Sequence, residues 1–173
     1  KYKYLGEVVK IIGHKNDPGV DILSIIYDHG INDTFTDEVM EEVNALPSEV
    51  LDSDRKGRKD LTDMTIFTID GDDTKDIDDA ISISKKGENY ILGVHIADVS
   101  YYVKEGTALY KEAYSRGTSV YLVDRVVPML PHKLSNGICS LNELEDRCAI
   151  TCEMTINEKG RVIDYDIFPS VIK

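Results

Sequence analysis

The chain has 173 residues, 42% hydrophobic and 30% charged, which is enough apolar content for a packed core and too much for a disordered polymer. Its net charge of −12 argues against nucleic-acid binding by the chain taken alone, because phosphate affinity comes largely from Lys and Arg. No apolar run is long enough to span a bilayer. The opening Lys1–Glu7 has neither an initiator Met nor an apolar signal core, so an excised or processed segment is expected.

In chain order, Tyr4–Ile12 is β-rich and reads as a strand. Asp17-Pro18-Gly19 offers an N-cap and a Pro at the first helical position, followed by Val20, Leu23 and Ile26 at helical spacing, with Gly30 as terminator. A second helix is expected from Thr36, favoured by Asp37, Glu38, Glu41 and Glu42 and ending before Pro47. Residues 48–63 are polar and charge-rich, and read as a linker. Beyond Met64 short strands alternate with turns. Thr65–Ile69 and Ala80–Ser84 flank an acidic loop, and Tyr90–Ile96 returns as a hairpin. Thr107–Arg116 reads as an amphipathic helix closed by Gly117, and 148–156 with 161–168 form a further hairpin. Cys139, Cys148 and Cys152 match neither zinc pairs nor a disulfide framework, which suggests reduced core thiols in a cytoplasmic protein.

Chemistry concentrates at Asp70-Gly71-Asp72-Asp73-Thr74-Lys75-Asp76-Ile77-Asp78-Asp79, where six of ten residues are aspartates. Close carboxylates repel one another unless they bind protons or cations. Hard divalent ions take oxygen ligands, so a metal site competes here with a solvated acidic turn. A loop between two neighbouring strands brings Asp70 towards Asp78 and Asp79, with Gly71 easing the departure and Asp72 and Asp73 at the tip. An EF-hand is excluded, since counting from Asp70 there is no Gly at the sixth position and no Glu at the twelfth. An aspartate-nucleophile phosphatase matches Asp70-Gly71-Asp72-Asp73-Thr74, but it leaves Asp76, Asp78 and Asp79 unexplained and requires a parallel α/β sheet.

The stretch Phe67–Ala80, with aspartates at 70, 76, 78 and 79, resembles the signature of the ribonuclease II/ribonuclease R family's catalytic (RNB) domain. Further blocks follow in the family's order at Val94–Ser100, Gly117–Leu122, Val127–Pro131 and Leu134–Leu141. Gly13-His14 and Asp17-Pro18-Gly19 bring the chain nearer the bacterial ribonuclease R branch. The resemblance implies an α+β fold with a mixed or antiparallel sheet and hairpins. It divides the chain into a cold-shock (OB-like) tail over 1–30, a helical and polar linker over 31–63, and a truncated RNB domain over 64–173. It implies processive, hydrolytic 3′-to-5′ degradation of single-stranded RNA to nucleoside 5′-monophosphates, with Mg²⁺, or Mn²⁺ as the alternative, held by Asp70, Asp76, Asp78 and Asp79. Asp70 and Asp79 are the expected direct ligands, Asp76 supports the site, and loss of Asp78 is expected to stop turnover while sparing RNA binding.

Tyr121 matches the family tyrosine that stacks on the terminal base and sets the end-product length; a core strand tyrosine is the plainer reading. His95 reads as a structural histidine and Asp98 as a loop organiser. Arg116, Arg125, His132 and Lys133 read equally as phosphate contacts or as scattered surface charge. The resemblance places the rest of the RNB domain and an S1 module after this segment, so the isolated chain is expected to be inactive and prone to self-association through apolar surface. A non-catalytic, RNA-associated scaffold with the same fold is the alternative from another class, though it would be expected to have lost motif aspartates.

Overall fold

The computed structural model describes Lys3 and residues 5–173. The expected N-terminal strand is absent: residues 5–12 carry no regular structure, with Leu5, Val8, Val9 and Ile11 exposed, and Tyr4 lies outside the described residues. β-propensity needs a neighbouring ladder to satisfy the backbone, and none of the described strands pairs with this stretch.

Helix α1 (Val20–Asp28) begins two residues later than its sequence signals suggest. Gly19, at φ 79°, is the N-cap; Asp17 instead accepts the His14 N–H through Oδ2 at 2.9 Å, so Asp17-Pro18-Gly19 is a turn leading into the helix. Helix α2 (Asp37–Ala45) is capped by the Thr36 hydroxyl, which accepts the Val39 N–H. It ends at an extended Leu46, the conformation that a following Pro favours. After the short α3 (Val99–Tyr102) comes α4 (Ala108–Arg116), capped by the Thr107 hydroxyl and closed by Gly117 at φ 71°.

The main sheet contains β1 (Lys59–Asp60), β2 (Asp79–Lys86), β3 (Asn89–Ala97), β6 (Arg147–Ile156) and β7 (Val162–Ile172), in the order β1-β7-β6-β3-β2. All neighbours are antiparallel except β1 with β7. The two short strands β4 (Val120–Tyr121) and β5 (Val126–Val127) form a separate hairpin. This mixed α+β architecture lacks the parallel sheet that an aspartate phosphatase requires. The expected strand Thr65–Ile69 reduces to a single bridge between Phe67 and Ile81. Ile69 is 82% exposed, so the chain has left the sheet edge before the acidic loop begins.

Residues 48–63 are polar because their charges are used internally. Asp54 is buried and accepts the Leu51 N–H at 2.9 Å and the Tyr101 hydroxyl at 2.8 Å. Arg55 pairs with Asp146. Arg58, whose side chain is only 6% exposed, reaches Asp98 at 2.6 Å. One core joins α2 and α4 to the kinked turn Leu134–Ile138 through Val39, Val43, Leu109, Leu134 and Ile138. A second gathers Leu61, Ala80, Ala97, Leu141, Ala149 and Ile172, with Ile77 packed against it. Cys139 and Cys148 are buried in the first core as free thiols, and Cys152 is half-buried. One face of the sheet stays open, with Ile83, Ile96, Tyr165 and Ile167 all exposed.

Across the opposite face runs a buried polar chain. His95 has no exposed surface; its Nε2 lies 3.0 Å from Ser82 Oγ, and its Nδ1 lies 2.8 Å from Thr151 Oγ1, which in turn meets Ser170 Oγ at 2.6 Å. His95 therefore links four strands, and burial holds its pKa below the usual imidazole value.

Candidate metal centre and nucleic-acid cleft

The acidic loop leaves the sheet after Phe67 and returns at Asp79, the first residue of β2. Its tip is a turn closed by the Thr74 N–H on the Gly71 carbonyl at 2.9 Å, with Asp72 and Asp73 exposed. Gly71 does not take a left-handed conformation, so the departure does not depend on glycine there. The second half is anchored. Ile77 packs on the core, its carbonyl accepts the Leu141 N–H at 2.9 Å, and the Asp78 carbonyl accepts the Ala97 N–H at 2.9 Å. Asp76 and Asp78 flank Ile77 and are exposed together, as alternation along an extended chain requires.

The four motif aspartates meet electrostatically. Though its surface is exposed, desolvation by the surrounding loop raises the pKa of Asp78 above the ordinary carboxylate value, and the charges of Asp76, Asp79 and Asp70 raise it further. A cation is the counter-charge that such a set lacks. Among the described residues, however, no three His, Cys, Asp or Glu side chains form a ready ligand cage. The donors fit a hard divalent ion in chemistry, being all carboxylate oxygens, but the loop does not gather three of them round one point.

Tyr121 is 69% exposed, which excludes the core reading. Its hydroxyl donates to Asp76 Oδ2 at 3.4 Å, and the charge of Asp76 raises its pKa above the usual phenol value. Beside this contact lies a cleft of about 470 Å³, lined by Asp76, Tyr121, Val126, Pro128, His132 and Asn136. A second cleft of about 610 Å³, on the side of Asp70, is lined by Phe67, Ile77, Leu141, Leu144 and Arg147. Gly71, Asp72 and Thr74 border both, so the loop forms a wall between them.

The neighbouring cations are mostly committed elsewhere. Arg116 pairs with Glu112 at 2.8 Å and donates to the Asn32, Thr34 and Pro128 carbonyls. Lys133 donates to the Val43, Asn44 and Leu46 carbonyls, capping the end of α2. Arg125 pairs with Asp124 at 2.7 Å. Of the four basic residues read as phosphate contacts, His132 alone lines the cleft. Sequence reasoning missed Ser140, whose hydroxyl lies against the backbone on both sides of Asp76; nothing in the apolar run Gly137-Ile138-Cys139-Ser140-Leu141 signals that role.

A family model described as the RNB domain matches residues 58–173, and one described as a cold shock domain matches residues 1–36. Ribonuclease R of Thermotoga maritima is 56% identical over 170 residues, a match covering 96% of this chain and 24% of that relative. Among solved structures, Mycoplasma genitalium RNase R in complex with ribose methylated single-stranded RNA superposes with a TM-score of 0.87 at 34% identity, over 93% of this chain and 25% of that one. The chain belongs to the RNB domain family. It spans about a quarter of the length of these relatives. Yeast Ssd1, a pseudonuclease, shares the fold with a TM-score of 0.77 at 21% identity, so the fold alone does not decide catalysis.

Proposed function

We propose that this chain is the metal-binding front part of a 3′-to-5′ hydrolytic exoribonuclease, and that it acts on single-stranded RNA in the cytoplasm as part of a longer protein. The observation that carries this reading is the meeting of Tyr121 with Asp76, which sets an exposed aromatic ring at the rim of a four-aspartate loop. Base stacking on an aromatic ring tolerates any sequence, and carboxylates are the donors that phosphodiester hydrolysis uses to hold its ions. The names of the relatives and the RNA bound by the Mycoplasma protein agree with it. Retention of all four aspartates disfavours the scaffold alternative.

Asp70 and Asp79 would hold Mg²⁺ (or Mn²⁺), with Asp76 and Asp78 completing the acidic set. The bound metal would supply Lewis acidity for activating water and would neutralise charge at the phosphate. Tyr121 orients the terminal nucleotide by stacking, while its hydroxyl restrains Asp76. Asp78, whose pKa is raised by burial and by the neighbouring carboxylates, is the residue whose loss should stop turnover while sparing RNA binding. Domain roles follow the family: a cold-shock tail over 1–30, a connecting segment over 31–63, and the catalytic domain from 64 onward, completed by further RNB and S1 regions. Alone, the chain is inactive and self-associates through its open sheet face.

The test is the full-length protein with Mg²⁺ on 5′-labelled single-stranded RNA. Shortening from the 3′ end with release of nucleoside 5′-monophosphates supports the reading. Internal cleavage, or a covalent phosphate trapped on Asp70, contradicts it.

A further inference from the structure

Ser140 has no exposed surface. Its Oγ donates to the Lys75 carbonyl at 2.8 Å, with Asn142 Oδ1 a second acceptor at 3.1 Å, and it accepts the Ile77 N–H at 3.0 Å. Leu141 adds its own N–H to the Ile77 carbonyl at 2.9 Å. Asp76 is therefore the residue spanned by one side chain that grips the backbone before and after it. Ser140 is fixed in turn: its N–H meets the Gly137 carbonyl at 2.9 Å, and its carbonyl accepts Nε of the buried Arg147 at 2.7 Å. A buried hydroxyl costs stability unless it is hydrogen-bonded, and here its partners are backbone groups of the acidic loop. The tip, by contrast, is closed among the described residues only by its own Thr74–Gly71 turn.

We propose that Ser140 is a positioning residue: its hydroxyl fixes the backbone on either side of Asp76 and thereby sets the direction in which Asp76 and Asp78 present their carboxylates. The role rests on the metal-holding reading of the loop proposed above. Residues that orient ligands without touching the metal change metal affinity or activity by roughly 10–100-fold when altered.

Two readouts on the 173-residue chain test this separately. Backbone amide exchange reports whether the Ile77 N–H is held by Ser140, and Mn²⁺ titration followed by paramagnetic resonance reports what the carboxylates can bind. In Ser140→Ala, Ile77 exchange should quicken by about tenfold or more while the amides of Cys148 and Val171 in the sheet keep their protection. The Mn²⁺ dissociation constant should rise by about tenfold, with Ser140→Cys falling between wild type and Ala. Unchanged Ile77 exchange overturns the proposal, as does faster exchange with unaltered Mn²⁺ affinity. If the wild-type chain takes up no Mn²⁺, the metal reading fails, and Ile77 exchange alone still decides whether Ser140 holds the loop. If Ser140→Ala loses sheet protection altogether, wild-type Ile77 decides: exchange at the rate of an open amide overturns the proposal, and protection restored in Ser140→Cys sustains it.

Discussion

Arg58 gives the sharpest stability prediction because its surroundings leave its partner no substitute. The Arg58 side chain is 6% exposed and that of Asp98 7%, with Nη2 and Oδ2 2.6 Å apart. The guanidinium also donates to the Asp54 carbonyl at 3.0 Å and the Ala149 carbonyl at 3.3 Å, and lies 4.6 Å above the Tyr101 ring. Arg58→Ala strips Asp98 of its counter-charge and leaves it only the Ser100 hydroxyl at 3.0 Å. Breaking a buried pair from one side costs about 3–5 kcal/mol, a large share of the ~5–15 kcal/mol by which domains are stable. Urea unfolding of wild type, Arg58→Ala, Asp98→Ala and the double variant should show each single change as severe and the double change as far less than their sum. A single-variant loss below about 1 kcal/mol, typical of exposed pairs, would refute a tightly coupled buried pair.

Other expectations are more local. Asp78→Asn should raise the thermal midpoint of the chain at neutral pH, because ionised Asp78 is held among like charges and costs stability above its raised pKa; the cost fades as pH falls towards the ordinary carboxylate value near ~3.9, and a lower midpoint would contradict this. His95, with its depressed pKa, works in the other direction. Above about pH 6.5 it is neutral folded or unfolded, but below that the unfolded chain takes up the proton first, so stability should fall with pH through this window; His95→Gln should flatten the fall, and parallel curves would sink the idea. Tyr121→Ala should weaken terminal-nucleotide binding by about 1–3 kcal/mol and lengthen the end product, whereas Tyr121→Phe keeps the ring; equal effects of the two on RNA footprinting would contradict stacking. Burial pushes the Cys139 thiol up to about 12, so thiol reagents at pH 8 should label Cys152 and spare Cys139 in the folded chain.

What the sequence made legible was whatever rests on local pattern. Thr36, Thr107 and Gly117 cap their helices as their residue types suggest, and the hairpins at Gly87 and Gly160 turn where glycine supplies positive φ. The acidic loop was visible because six aspartates in ten residues have few physical explanations. Long-range pairing was not visible. Residues 48–63 read as a linker from composition, yet Arg58 finds Asp98 and Lys59 pairs with Ser170 only once the fold brings them together. Residues 5–12 carry strand-forming residues without a described strand beside them. Ser140 escaped for the same reason: its partners in the acidic loop lie more than sixty residues away.

The most direct test compares wild-type full-length protein with Asp78→Asn on 3′-labelled single-stranded RNA in Mg²⁺, measuring binding and cleavage together. Processive mononucleotide release by wild type, with the variant binding RNA but leaving it intact, is the expected result. Equal cleavage by both proteins, or by neither, would contradict a catalytic role for the aspartate loop and move the scaffold reading ahead.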